Sequence, residues 1–206
     1  MVAPLQFWFE FASTYSHVAA LRIEAVAGAR DVPFEWKPFL LGPIFRRQGW
    51  SDSPFNLYPA RGRYMWRDVE RLCDTYGLPF RRPSVFPRDS LLAARVACTG
   101  EGQVWLPEFV RRVFRANFAE DRDISDAAVI GDILGSIGQE DGPLIALATA
   151  AGSKQRLRRE TEAAWDLGIF GAPTCVVGRE LFWGHDRIDE ALDWFLTKGG
   201  GSCPNT

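Results

Sequence analysis

The sequence predicts an α/β fold in which one sheet is assembled from both ends of the chain around a long helical insertion. Three observations predict it. A strand–helix–strand pattern fills the first 41 residues. A mostly helical stretch follows over residues 42–151, and a helix, two short strands and a closing helix fill residues 152–198. Neither end holds a whole sheet, so strands from both ends are expected to share one.

The elements follow in order. Residues 5–11 are rich in Phe and Trp and alternate in part, which predicts a short central strand. Ser13 then offers an N-cap for a helix over residues 16–29, where Val18, Leu21, Ile23, Val26 and Ala27 fall at helical spacing. The run RDVP ends it, and residues 34–41 predict a second strand. The connection is long enough for a parallel crossover. Residues 42–62 are dense in Pro, Gly, Ser and Asn and predict an extended loop. Met65, Val69 and Leu72 mark a helix ended by YGLP. Further helices are predicted over residues 88–99, 104–118, 126–137 and 143–151. Another ends at Gly168, and two strands flank a tight turn at Gly178-Arg179. Asp186 is expected to cap a last helix through Leu196, with Asp189 and Glu190 near its positive end. Residues 199–206 are expected to be loose. Joined, βαβ and αββα give the layout of a thioredoxin-like fold with a helical insertion. The implied division is a discontinuous domain of residues 1–41 and 152–198, an inserted helical domain of residues 42–151, and a tail.

Composition narrows the function classes. Of 206 residues, 47% are hydrophobic and 24% charged, as in soluble globular chains. The formal charge of -2 argues against a general nucleic-acid surface, and the arginine runs are expected to be solvated helix faces. No apolar run approaches the ~18 residues of a membrane span. The N-terminus lacks the basic region and long apolar run of a signal peptide. Neither a membrane nor a nucleic acid is expected as a partner. The four cysteines, Cys73, Cys98, Cys175 and Cys203, form no close pair, which fits a reducing cytoplasm. His17 and His185 are the only histidines and no Cys–His cluster exists, so no metal site is expected.

Three places carry residues suited to chemistry. In FWFEFASTYSHVAA, Ser13 sits where a strand meets a helix. It serves there as a helix cap, or as a hydroxyl that donates to a thiolate or oxyanion. No His–Asp pair lies nearby to make it a nucleophile. His17, one turn on, either reaches the mouth of the site or packs inside. In FGAPTCVV, Pro173 either initiates a strand or follows a cis bond that turns the backbone of Ala172 and Thr174 outward. In WGHDRIDEA, Asp186 either caps the last helix or receives an ammonium. Arg61 and Arg63 either meet an anionic substrate or remain surface charges, while Arg63, Arg67 and Glu70 have ion-pair spacing.

The stretches FWFEFASTYSHVAA, KPFLLGPIFRRQG, GRYMWRDVERL and GIFGAPTCVVGRELFWGHDRIDEAL together resemble the 2-hydroxychromene-2-carboxylate isomerases, relatives of kappa-class glutathione transferases and DsbA-like oxidoreductases. The resemblance covers nearly the whole chain, and residues 168–192 are its most specific part. It implies a thioredoxin domain with a helical insertion, a homodimer, glutathione as cofactor and a role in aromatic catabolism. The family's catalytic serine, first in the motif Ser-Pro-Tyr-Ser, falls on Ser13, with Thr14 in place of the proline and Tyr15 and Ser16 matching. Ala172 and Pro173 fall where the family's backbone pairs with the cysteinyl part of glutathione. His185 and Asp186 fall where it holds the γ-glutamyl end, and His185 departs from the usual glutamine or serine. Trp50 stands where the family often has an asparagine, and Asn56 is the downstream substitute. Tyr15, Trp50, Asn56, Arg61 and Arg63 are the expected substrate residues.

The implied activity is glutathione-dependent cis–trans isomerisation of 2-hydroxychromene-2-carboxylate to trans-o-hydroxybenzylidenepyruvate, or of a related aromatic compound. Other readings are a kappa-like transferase or peroxidase acting on other electrophiles, and a non-catalytic thioredoxin-like binding module. A disulfide oxidoreductase is disfavoured, because hydroxyls replace the thiols that exchange requires.

Overall fold

In the computed structural model, residues 3–198 are described. β1 (Leu5–Phe9) is central in a four-stranded sheet with β2 (Phe34–Pro38), β3 (Thr174–Val177) and β4 (Glu180–Trp183). The order is β2-β1-β3-β4. β1 and β2 run parallel with Leu5 opposite Phe34, whereas β3 is antiparallel to β1, with Phe7 opposite Cys175. The sheet thus joins both ends of the chain, as the sequence pattern predicts.

Alternation along β1 explains why it is central. Side chains two apart share a face. Leu5, Phe7, Phe9 and Phe11 enter the larger core, where Phe11 packs on Phe109 and Phe114. Trp8 enters a second core with Phe39, Ile44 and Ile169. Both faces of β1 are covered, so its sequence is almost continuously apolar. Each fully buried Phe contributes about 1.5–3 kcal/mol.

The remaining elements are α1 (Thr14–Ala20), α2 (Ile23–Gly28), α3 (Leu41–Arg47), α4 (Pro54–Leu57), α5 (Pro59–Tyr76), α6 (Leu91–Thr99), α7 (Leu106–Phe118), α8 (Ala127–Ser136), α9 (Asp141–Thr149), α10 (Ala151–Asp166) and α11 (Ile188–Lys198). Gly178, at φ 63°, supplies the left-handed residue of the tight β3–β4 turn.

Four expectations need correction. The single helix over residues 16–29 is two, broken at Leu21 and Arg22. The break lets Val18 face α5 while Ile23 and Ala27 face the larger core. The second strand ends at Pro38, and Leu41 already begins α3. The extended loop over residues 42–62 instead holds α3, α4 and the start of α5. Its prolines Pro54 and Pro59 open α4 and α5, where a missing N–H costs nothing, and the Ser53 hydroxyl accepts from the Phe55 amide. Asp186 does not cap α11; it lies in a short 3-10 turn, His185–Arg187, between β4 and that helix. The tail over residues 199–206, with Cys203, lies outside the described residues.

Candidate functional site

Ser13 ends the turn between β1 and α1. Its amide donates to the Glu10 carbonyl at 3.0 Å, and its Oγ accepts from the Ser16 amide at 3.2 Å. The expected cap is therefore present. The same hydroxyl donates to the Ala172 carbonyl at 3.0 Å, from the segment that enters β3. The Ala172-Pro173 bond is cis, the second of the alternatives the sequence left open. Ser13 is thus tied to the start of its own helix and to the far end of the chain.

Around this junction lies a cavity of about 1340 Å³. That exceeds the ~300–1,000 Å³ of ordinary small-molecule sites. Ser13, Tyr15, Trp50, Arg61, Ala172, His185 and Asp186 line it, as do Phe45, Phe55, Phe170 and Trp183. Three expected site residues do not. Asn56 donates instead to Asp52 Oδ2 at 3.0 Å and to the Phe86 carbonyl at 3.2 Å, so its amide is used in holding α4. Arg63 is exposed away from the cavity, because residues two apart on a helix point in nearly opposite directions. Pro173 accepts the Gly184 amide at 2.9 Å and leaves the lining role to Ala172.

Tyr15 and His185 stack, and Tyr15 Oη donates to Asp68 Oδ2 at 3.0 Å. Burial first, then the Asp68 charge, raises the phenol pKa, so Tyr15 stays protonated. Burial lowers that of His185, partly offset by Asp186 and Asp68, so its ring is neutral at neutral pH. His17 has no part in the cavity wall. It is fully buried among Phe80, Phe114 and Phe118, its Nε2 meets the Pro79 carbonyl at 3.1 Å, and burial lowers its pKa to about 4. Cys175 is fully enclosed in β3, where burial pushes its thiol up to about 12. It is a core residue. Among the described residues, no cluster of ligating side chains suits a metal ion.

Two residues went unnoticed in the sequence. Glu10 lines the cavity while only 6% exposed; its Oε1 accepts from the Ala12 amide at 3.1 Å and, at short range, from Ser90 Oγ. Burial outweighs these hydrogen bonds and pushes its carboxyl up to about 7. The signal was an acid inside the aromatic run FWFEFA. Asp68, which orients Tyr15, had no comparable signal.

A hydroxyl at the β1–α1 turn, bonded to a cis-proline segment on the wall of a large cavity rich in aromatic side chains, defines a thioredoxin-like protein without the redox thiols. A model of the DSBA-like thioredoxin domain matches residues 4–194, and the chain belongs to that family. Among curated relatives, the chain is 24% identical over 197 residues to a 2-hydroxychromene-2-carboxylate isomerase from Sphingobium xenophagum, covering 95% of this chain and 100% of that one. It is 24% identical to glutathione S-transferase kappa 2 from Caenorhabditis elegans, covering 92% and 90%. Among solved structures, a 2-hydroxychromene-2-carboxylate isomerase superposes with a TM-score of 0.83 at 20% identity, covering 96% and 98%. The cytosolic disulfide reductase DsbM from Pseudomonas aeruginosa, solved with glutathione, superposes with a TM-score of 0.67 at 14% identity, covering 96% and 98%.

Proposed function

We propose that this protein is a glutathione-dependent enzyme that isomerises 2-hydroxychromene-2-carboxylate to trans-o-hydroxybenzylidenepyruvate, or a closely related aromatic α-keto acid. The observation that carries the proposal is the Ser13 hydroxyl bonded to the Ala172 carbonyl at 3.0 Å on the wall of the large cavity. When bound, glutathione supplies the thiol nucleophile that the chain lacks at this point.

The residues present fit that group. The cavity has room for a tripeptide and an aromatic substrate together. The Ser13 hydroxyl is free to turn from Ala172 and donate to an anionic sulfur, a hydrogen bond that lowers a thiol's pKa. Ala172 then keeps a backbone carbonyl for the peptide part. Asp186 is exposed, has only a loose contact with Arg187 at 3.8 Å, and takes the ammonium end. Trp50, Phe45 and Phe55 supply an apolar wall, and Arg61 answers the substrate carboxylate. The protein acts as a homodimer in this proposal, as the resemblance implies.

The test is to supply the chromene and glutathione and follow ring-opened product. The proposal predicts product that depends on glutathione and is nearly lost in Ser13→Ala. Product formed equally without glutathione would overturn it. The similarity to a kappa-class transferase favours a second reading, conjugation of glutathione to other electrophiles. Glutathione binding with turnover of haloarenes and none of the chromene would select it. A protein with no affinity for glutathione would be a binding module of another kind.

A further inference from the structure

Glu10 has more than a scaffolding position. Its carbonyl closes the turn that presents Ser13, and its side chain lines the same cavity as Ser13. Both donors that reach the carboxyl, the Ala12 amide and the Ser90 hydroxyl, meet Oε1. No hydrogen bond reaches Oε2 among the described residues. Holding the turn and Ser90 needs one acceptor oxygen, which a glutamine provides equally. A carboxyl in an aromatic cavity, with one oxygen unengaged, is costly unless that oxygen has another use.

We propose that Glu10 is the proton acceptor of this site, taking the proton of an incoming thiol on Oε2 and returning it when the thiol leaves. The assignment rests on the glutathione-dependent function proposed above. The S–H bond breaks with its electron pair left on sulfur, and an O–H bond forms at Oε2. No oxidant or reductant enters, and the net charge in the cavity is unchanged. The Glu10 carboxyl, held near 7, lies closer to a free thiol at about 8.5 than an ordinary carboxyl does, which suits it to exchange that proton. Asp89 and Ser90 face it from the segment leading into α6, Asp89 raising its affinity for a proton and Ser90 lowering it. The charged groups on the other cavity walls include Arg46, Arg61, Asp68 and Asp186.

The experiment mixes the protein with glutathione in weak buffer at about pH 8, where Glu10 is mostly ionised and free thiol mostly protonated. Thiolate is followed by its ultraviolet absorbance and released protons by an indicator dye. In the wild-type protein, thiolate forms without a matching proton in solution. In Glu10→Gln, either about one proton is released per thiolate or thiolate formation falls roughly tenfold or more. Ser90→Ala keeps the carboxyl but removes a donor, so the pH above which protons are retained moves upward. A wild-type protein that releases one proton for each thiolate overturns the assignment, as does a Glu10→Gln protein with an unchanged proton count. If the wild-type protein binds no glutathione, the proposed function and this assignment fall together. Binding with an unaltered count in Glu10→Gln removes the assignment alone.

Discussion

The ring of Tyr15 lies parallel to that of His185, with centroids 5.4 Å apart and 8° between the planes. The pair links the first turn of α1 to the 3-10 turn before α11. Asp68 holds the Tyr15 hydroxyl from α5, so three separated segments fix one wall of the cavity. Tyr15→Phe keeps the stack and frees Asp68 Oδ2, while Arg71 still holds Oδ1. Its expected effect is a rise of several-fold in KM for glutathione with kcat little changed, consistent with loss of one hydrogen bond to a charged acceptor. His185→Ala removes the stack itself and is expected to raise KM further. Steady-state kinetics at varied glutathione separates the two, and an unchanged KM in His185→Ala would remove this wall from the binding site.

Ser13→Ala removes two hydrogen bonds at once, from the Ser16 amide and to the Ala172 carbonyl. Loss of the cap is expected to cost about 1 kcal/mol in stability. Its effect on a bound thiol is separate: the sulfur loses a donor, and the pH midpoint of thiolate absorbance is expected to rise by roughly one unit. A lower Tm with an unmoved thiolate midpoint would confine Ser13 to the helix cap.

Arg61 and Arg63 give a paired comparison. Arg61 lines the cavity, with its guanidinium 4.8 Å from the Tyr58 ring centroid, whereas Arg63 lies off the wall. Arg61→Gln is expected to raise KM for a carboxylate substrate by roughly tenfold, the scale of one charge-assisted hydrogen bond. Arg63→Gln is expected to leave it alone. The reverse pattern would place the anion outside this cavity.

What the sequence disclosed depended on how local the cause was. Strong periodicity and local turn chemistry marked β1, the α7 region and the β3–β4 hairpin, because each is decided within a few residues. The helices within residues 42–62 are not legible in the sequence for a related reason. Gly and Pro normally punctuate loops, but Pro54 and Pro59 occupy first-turn positions that tolerate them, and only its neighbours make the four-residue α4 worthwhile. Ser13, Ala172, His185 and Asp186 were legible through the family motif. Asn56 and Arg63 follow only from their places near Trp50 and Arg61 in the sequence; bonds to Asp52 and the Phe86 carbonyl engage the Asn56 amide, and helical geometry turns Arg63 from the cavity. Glu10 lay in plain view, yet an acid in an apolar strand does not reveal that Ser90, 80 residues on, will meet one oxygen and leave the other.

His17 and Glu10 give the fold opposite responses to pH. The folded pKa of His17 is about 4, below its ordinary 6.5, so the unfolded chain takes up this proton first. The stability it contributes is full above pH 6.5 and is lost as pH falls toward 4. Glu10 behaves in reverse. Its folded pKa of about 7 lies above the ordinary 4.5, so its contribution is full below pH 4.5 and is lost as pH rises toward 7. Each shift corresponds to ~3 kcal/mol as an order of magnitude. Thermal melts from pH 4 to pH 8 are therefore expected to show different slopes in two variants. His17→Gln should lose the steep acid side. Glu10→Gln should gain stability relative to wild type as pH rises through the interval that ends near 7. A Glu10→Gln variant whose offset from wild type is the same at both ends of that range would mean that the carboxyl titrates alike in the folded and unfolded chain, which its burial beside Asp89 argues against.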